Sequence, residues 1–146
     1  MIAPPPAQSP PPKAEPPPAP TRAATLLVSF RYAFAGIHYL LWTQRNAKIH
    51  TAIALAAVAL ALLLRIDRGE WLALVLTIAL VLGAEGVSTA VEAAVDLASP
   101  GYHPLAKVAK DVAAGTVLLT AIAAVIVGLI IFLPHLWPIV LRILGL

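Results

Sequence analysis

Three long apolar segments dominate this sequence and restrict its possible folds more than any other feature. They run from about residue 49 to 64, from 71 to 95 and from 112 to 133. About 20 apolar residues are enough to cross the hydrocarbon core of a bilayer as an α-helix. With 60% apolar and only 12% charged residues, the chain has too little polar surface for a soluble domain. The sequence therefore predicts an all-α integral membrane protein with three transmembrane helices.

Polar and helix-breaking residues mark the expected ends of these helices. The first apolar segment is short, so its helix is expected to begin before Asn46. The charge-balanced run 65–70 predicts a tight turn, and Ser99-Pro100-Gly101 predicts the end of the second span. Pro134 is expected to end the third, leaving 135–146 as an apolar tail whose placement the sequence leaves open.

The N-terminal region differs sharply from the rest of the chain. Residues 1–20 contain ten of the fourteen prolines, and proline fixes φ and lacks an N–H. We therefore predict a disordered arm over 1–24, with a plain spacer favoured over a ligand for a proline-recognising partner. From Thr25 to Trp42 apolar residues recur at helical spacing, which predicts an amphipathic helix on the membrane surface. The predicted membrane domain is 25–134.

Charge predicts the orientation in the membrane. The formal net charge is +3, and basic residues concentrate before the first span and in the second loop. The positive-inside rule then places the N-terminus and the second loop in the cytoplasm. No basic stripe with interleaved aromatic residues is present, which argues against nucleic acid as a partner. The absence of cysteine excludes disulfides and thiolate metal sites.

The second apolar segment carries polar residues at membrane depth. Glu85, Ser88, Thr89, Glu92 and Asp96 follow one another at steps that place them on one helical face. A carboxylate within a bilayer costs at least ~2.5–3.5 kcal/mol, so it is rarely found there without a partner or a function. Glu92 is expected near the cytoplasmic boundary and Glu85 about 10 Å deeper.

The start of the third helix adds charged groups on the same side of the membrane. These are His103, Lys107, Lys110 and Asp111. Carboxylates suit Mg²⁺, which prefers oxygen ligands and is often shared with nucleotide phosphates, and lysines bind phosphate as point charges. The combination is typical of phosphoryl transfer. Lys107 and Asp111 are also spaced as an ordinary i,i+4 ion pair.

Structural roles are the alternatives for these residues. Glu92 and Lys110 could form an interhelical ion pair, and Glu85 could be a protonated carboxyl that hydrogen-bonds across helices. A proton-coupled transporter using Glu85 is a more remote possibility. His50 is expected to satisfy neighbouring groups at a helix start.

The segments 85–96 and 103–115 resemble the prokaryotic diacylglycerol kinase family. The family pattern is Glu-x-x-Asn-[Thr or Ser]-Ala-Ile-Glu-x-x-x-Asp, followed by a short loop and Ala-Lys-Asp, and the fit looks closer to the undecaprenol kinase branch. The resemblance extends from about Phe30 to Pro134. It implies a homotrimer in the bacterial inner membrane, with active sites at the cytoplasmic interface. The implied activity is transfer of the γ-phosphoryl group of ATP, with Mg²⁺, to undecaprenol or diacylglycerol; the sequence leaves the choice between these lipids open.

The resemblance also implies roles for individual residues. Glu85 matches the catalytic base that acts on the lipid hydroxyl, and Glu92 matches a ligand of Mg²⁺ and ATP. The implied nucleotide contacts are Tyr32, Gly101, Tyr102, His103, Lys110 and Asp111.

Two positions depart from the family pattern. Gln44 replaces a second metal-binding glutamate, and Ser88 replaces the asparagine between the two glutamates. An amide oxygen is uncharged and serine is shorter than asparagine, so both changes are expected to weaken metal and nucleotide binding. We expect activity with reduced metal affinity; the alternative is a catalytically weakened member that acts as a lipid-binding or structural subunit.

Overall fold

The computed structural model describes residues 22–145, and the side chains of residues 25–145. These residues form four helices: α1 at Arg22–Thr43, α2 at Arg45–Leu64, α3 at Arg68–Ala98 and α4 at Pro104–Leu144. The predicted disordered arm covers 1–24. Residues 1–21 lie outside the described residues, so disorder there stays a prediction, whereas 22–24 belong to α1 and the prediction is wrong for them.

Three of the described helices, α2, α3 and α4, are long and apolar enough to cross a membrane. Short connections join them, so α3 runs antiparallel to α2 and α4 runs antiparallel to α3, with the most extensive packing between α3 and α4. Large apolar side chains such as Leu63 (79% exposed) and Leu119 (70% exposed) face outward along the spans. This surface suits lipid or other apolar partners, and the prediction of an all-helical fold with three helices long enough to cross a membrane is confirmed.

The connection between α2 and α3 is fixed by local backbone chemistry. Arg65 closes α2 in the left-handed region at φ 53° and donates its N–H to the Ala61 carbonyl. At the start of α3, the Asp67 carboxylate accepts the Glu70 N–H at 2.9 Å, and the Glu70 carboxylate accepts the Asp67 N–H at 2.8 Å. This reciprocal capping box satisfies donors that a helix start otherwise leaves free.

One side of the bundle has its own apolar core, close to the α2–α3 turn. Ala61, Ile66, Leu74 and Ile131 are buried against one another. They come from the end of α2, the turn, the start of α3 and the C-terminal part of α4. The helix ends at this side are therefore held in register.

The third span does not end where the sequence predicts. We expected Pro134 to stop it, but α4 continues through Pro134 and Pro138 to Leu144. A proline removes one backbone hydrogen bond without forbidding helical φ, and membrane helices tolerate this where neighbouring groups compensate. His135 adds a side-chain contact in the same turn, because its Nδ1 lies 2.9 Å from the Ile131 carbonyl oxygen. The predicted helix end is wrong, and the apolar tail is a helical extension.

The helix α1 is separated from α2 by a single extended residue. Gln44 has φ −86° and ψ 120°, which changes the direction of the chain between the two helices. Most α1 side chains are exposed, and Leu40 lies over Gly86 of α3. The predicted N-terminal helix therefore exists, while its position at the membrane surface stays a prediction.

Candidate active site

A cleft of about 540 Å³ opens on the side of the bundle opposite the apolar core. It lies between the start of α2, the second half of α3 and the start of α4. The polar residues that line it are Gln44, Asn46, His50, Glu85, Ser88, Thr89, Glu92, Lys110 and Asp111. The cleft thus gathers the polar groups that the sequence distributes over three apolar helices.

The contribution of α3 follows from helical periodicity. Glu85, Ser88, Thr89 and Glu92 are three, four and seven residues apart, which places them on one face, and all four line the cleft. The rise from Glu85 to Glu92 is about 10 Å along the helix axis. The cleft therefore extends from the helix end into the apolar part of the bundle.

Among the described residues, Glu85 is the charged residue that is buried, at 4% exposure. Its Oε1 lies 3.2 Å from Nε2 of His50 on α2. The two atoms are within ion-pair distance but are not aligned as a hydrogen bond, so Oε1 has no hydrogen-bond partner among the described residues. A buried carboxylate oxygen without a partner is energetically costly, which points to a group that is ready to interact with a ligand.

His50 is a residue of the site that sequence reasoning missed. Because His50 lies near a helix start, the sequence predicted only a local structural role for it. Asn46 lies four residues earlier on the same face of α2 and also lines the cleft. This i,i+4 spacing of polar residues at the start of a membrane helix was the available signal.

Ion pairs hold the charged residues at the mouth of the cleft. Lys110 of α4 donates to Asp96 of α3, with Nζ 2.5 Å from Oδ1. Lys107 pairs with Asp111 one turn later, as the i,i+4 alternative predicts. The alternative of a direct Glu92–Lys110 pair is wrong, because Lys110 is bound to Asp96. These exposed pairs leave both lysines at the rim, where water-soluble anions can reach them.

The structure brings four of the predicted site residues to one cleft: Glu85, Glu92, Lys110 and Asp111. The other four are not among the lining residues of this described cleft. They are Tyr32, Gly101, Tyr102 and His103.

These four residues lie on α1 and in the loop before α4. Tyr32 projects from α1 at 71% exposure, and Tyr102 lies in the α3–α4 loop at 85% exposure. The Gly101 carbonyl accepts the Ser99 hydroxyl at 3.2 Å. His103 caps α4, because its Nδ1 accepts the Leu105 N–H at 3.3 Å. A neutral His103 therefore carries its proton on Nε2, which is a donor available to a ligand at the loop.

The oxygen groups of the cleft fit a hard divalent cation such as Mg²⁺. Among the described residues, no three Asp, Glu, His or Cys side chains form a ready-made metal site. Glu92 nevertheless shares the lining with Gln44, Asn46 and Ser88, which offer amide and hydroxyl oxygens. Mg²⁺ commonly uses one or two carboxylates and completes its shell with water and phosphate oxygens. This donor set suits a metal that arrives with a nucleotide.

An apolar groove of about 280 Å³ lies next to the cleft and deeper in the bundle. His50 and Ala121 line both the groove and the cleft. The rest of the groove is mostly apolar, with small side chains such as Ala57, Ala124 and Gly128. A molecule with a polar end and an apolar chain could thus occupy the two spaces together, with Glu85 near their junction.

Comparison with known proteins agrees with these features. The family model for prokaryotic diacylglycerol kinase matches residues 31–132. A diacylglycerol kinase of Synechocystis sp. is 52% identical over 115 residues, which cover 78% of this chain and 66% of that protein. An undecaprenol kinase of Bacillus subtilis is 42% identical over 108 residues, which cover 74% of this chain and 88% of that protein.

The matched range contains α2, α3, most of α4 and all the polar residues of the cleft. Both relatives are named kinases, one for diacylglycerol and one for undecaprenol. A kinase takes its phosphoryl group from a nucleotide, which agrees with a polar cleft that contains carboxylates and a lysine. The chain therefore belongs to the prokaryotic diacylglycerol kinase family, a family of membrane lipid kinases.

Proposed function

We propose that this protein transfers the γ-phosphoryl group of ATP to the hydroxyl group of a membrane lipid, either diacylglycerol or undecaprenol. The observation that carries the proposal is the buried Glu85 carboxylate, placed where a polar cleft meets an apolar groove. A lipid alcohol needs both environments, because its hydroxyl must reach a nucleotide while its chains stay apolar. In this proposal the cleft faces the cytoplasm from the bacterial inner membrane, where ATP is available, and the concentration of basic residues beside it supports that orientation.

In the proposed reaction, Glu85 acts as the base. Its carboxylate accepts the hydroxyl proton as the lipid oxygen forms a bond to the γ-phosphorus, and the bond from that phosphorus to the β,γ-bridging oxygen breaks. Lys110 offers a cation to the phosphates, provided that it exchanges or shares its Asp96 partner. Glu92 would hold Mg²⁺ with oxygens of Gln44 and Ser88. When bound, Mg²⁺ supplies charge neutralisation on the phosphates.

The apolar groove is the proposed site for the lipid chain. It joins the cleft at His50 and Ala121, so a chain lying in the groove would place its attached hydroxyl beside Glu85. Small side chains at Ala124 and Gly128 keep this space open. Filling the groove should therefore weaken lipid binding without affecting the nucleotide.

Gln44 and Ser88, the two departures from the family pattern, both line the cleft. Their uncharged oxygens can still contribute to a magnesium shell, but they offer less charge than a second carboxylate. We propose an active kinase with a raised Mg²⁺ requirement. A titration of kinase activity against Mg²⁺, taken well above the usual assay concentration, distinguishes this proposal from the catalytically weakened alternative.

We also propose the homotrimer that the family resemblance implies. The exposed α1 supports it, since Tyr32 does not line the cleft of its own chain and could reach a neighbouring copy. The measurement is complementation: Tyr32→Ala and Glu85→Gln protomers, inactive alone, should regain activity when mixed if one site uses both chains. Absence of any recovery after demonstrated subunit exchange would contradict shared sites.

The direct test of the proposed activity uses purified protein in detergent–lipid micelles with radiolabelled ATP. Diacylglycerol and undecaprenol are offered separately, because one relative is named for each lipid. Labelled phosphate is expected in the lipid phase with at least one of them. Transfer to neither lipid, even at high Mg²⁺, would refute the proposal.

A further inference from the structure

We infer that His50 is a positioning residue for the proposed reaction, holding the Glu85 carboxylate at the junction of the cleft and the groove. The inference rests on the proposed function and adds to it a residue outside the expected catalytic set. Its basis is the 3.2 Å approach of His50 Nε2 to Glu85 Oε1. This contact joins α2 to α3, so it fixes the base relative to two of the three membrane helices.

The chemistry of the two atoms determines which one donates. An ionised carboxylate oxygen only accepts hydrogen bonds, whereas an imidazole nitrogen donates when it carries a proton. The contact is therefore favourable when Nε2 of His50 is protonated, either in the neutral Nε2–H tautomer or in the imidazolium form. Oε1 has no hydrogen-bond partner among the described residues, so it is open to a bond from the nearby Nε2–H of His50.

Other charged groups around the cleft do not take this role. Lys110, the lysine of the described lining, has its Nζ on Asp96. Asp111 is paired with Lys107, and Glu92 is a like charge about 10 Å along the helix axis from Glu85. His50 is thus the titratable side chain that the described structure brings within ion-pair distance of the buried carboxylate, and it is itself only 20% exposed.

This contact has a definite consequence for the reaction. With Oε1 bound by His50, the second oxygen of Glu85 is the one free to accept the lipid hydroxyl proton. The Nε2–H bond orients the carboxylate before the substrate arrives, which reduces the reorganisation needed in the transition state. After transfer, the proton resides on Glu85 and the phosphoryl group on the lipid, so His50 itself gains and loses no atom.

The test compares His50→Ala with His50→Gln in the phosphotransfer assay. The alanine variant loses the donor, and misplacement of a catalytic group costs about 10- to 100-fold in kcat. The KM for ATP should not change, because the rim residues are intact. Glutamine also ends in an Nε2–H donor and should recover most of the lost kcat. A matched control is His135→Gln, since His135 faces Glu70 at 3.6 Å on the opposite side of the bundle.

Every result of this comparison either supports or overturns the positioning role of His50. A kcat loss in the alanine variant, recovered by glutamine and absent in the control, supports it. Wild-type kcat in both His50 variants overturns it, as does a loss that glutamine does not recover or that appears only in the KM for ATP. An equal loss in His135→Gln also overturns it, because the effect would then be general destabilisation.

A second measurement is independent of turnover. Nitrogen-15 NMR of the His50 ring, assigned by comparison with His50→Gln, should show a proton on Nε2 in the wild type. The nitrogen chemical shift of Nε2 should change in Glu85→Ala, because its N–H loses the carboxylate acceptor. If the wild-type protein transfers no phosphate but the ring shows this dependence, the proposed function fails while the contact stands. If the kinase is active and the ring is insensitive to Glu85, the positioning role alone fails.

Discussion

Replacement of Glu85 by glutamine is the sharpest perturbation that the cleft allows. Glutamine has nearly the same shape as glutamate, and its amide oxygen can still accept from His50 Nε2, 3.2 Å away in the parent protein. The change therefore removes a proton acceptor from a 4% exposed position without opening a cavity. Folding and nucleotide binding should survive, so the effect is confined to the chemical step.

The size of the effect follows from the role of the residue. General base catalysis by a positioned side chain contributes about 10²–10⁴-fold to a rate, which corresponds to about 3–5 kcal/mol in activation free energy. The buried position favours the upper part of this range, because few water molecules can replace the missing base. The KM for ATP should stay close to the wild-type value, since Glu92 and Lys110 are unchanged.

The assay is steady-state transfer of radiolabelled phosphate to the preferred lipid, with kcat and both KM values measured. Glu70→Gln is the matched control, because it makes the same chemical change on the opposite side of the bundle and should leave kcat unchanged. Glu85→Gln with more than a tenth of wild-type kcat would refute the base assignment. So would a large rise in the KM for ATP with little change in kcat.

Further predictions address the metal, the groove and the fold. Glu92→Gln should raise the Mg²⁺ concentration required for half-maximal activity or abolish turnover, as a Mg²⁺ titration of the rate would show. The double variant Gln44→Glu/Ser88→Asn should lower that requirement, and an unchanged titration curve would contradict the metal role of these positions. Ala124→Leu should raise the KM for lipid but not for ATP. Asp67→Ala should destabilise the protein by about 1 kcal/mol through loss of the capping box, measured by unfolding in detergent, with kcat unchanged.

Much of the architecture could be predicted because it depends on local patterns. Apolar length fixed the number of spans, and Ser99-Pro100-Gly101 correctly predicted the end of α3 at Ala98. The spacing of Glu85 and Glu92 placed them on one face because helical periodicity leaves little choice. These properties require only that each segment be helical, and no knowledge of how the helices pack.

Features that depend on contacts between helices could not be predicted from local sequence patterns. The approach of His50 to Glu85 joins residues 35 positions apart, and the choice of Asp96 over Glu92 as the partner of Lys110 depends on how α3 and α4 align. The helix end at Pro134 was mispredicted for a related reason. Proline is a reliable stop where water competes for the backbone, whereas a packed membrane helix keeps its remaining hydrogen bonds.

One side of the bundle stabilises the fold, and the opposite side carries the polar cleft of the proposed reaction. The apolar core and the capping box fix α2, α3 and α4 near the α2–α3 turn, while small residues such as Ala114 and Ala121 leave space for the polar cleft that they line. Polar groups at membrane depth destabilise a bundle unless they are paired, so the opposite side must supply compensating apolar contacts. Truncation of Leu74 should therefore lower the free energy of unfolding and leave the kcat of the folded fraction unchanged. A change in kcat there would mean that the core also sets the geometry of the cleft.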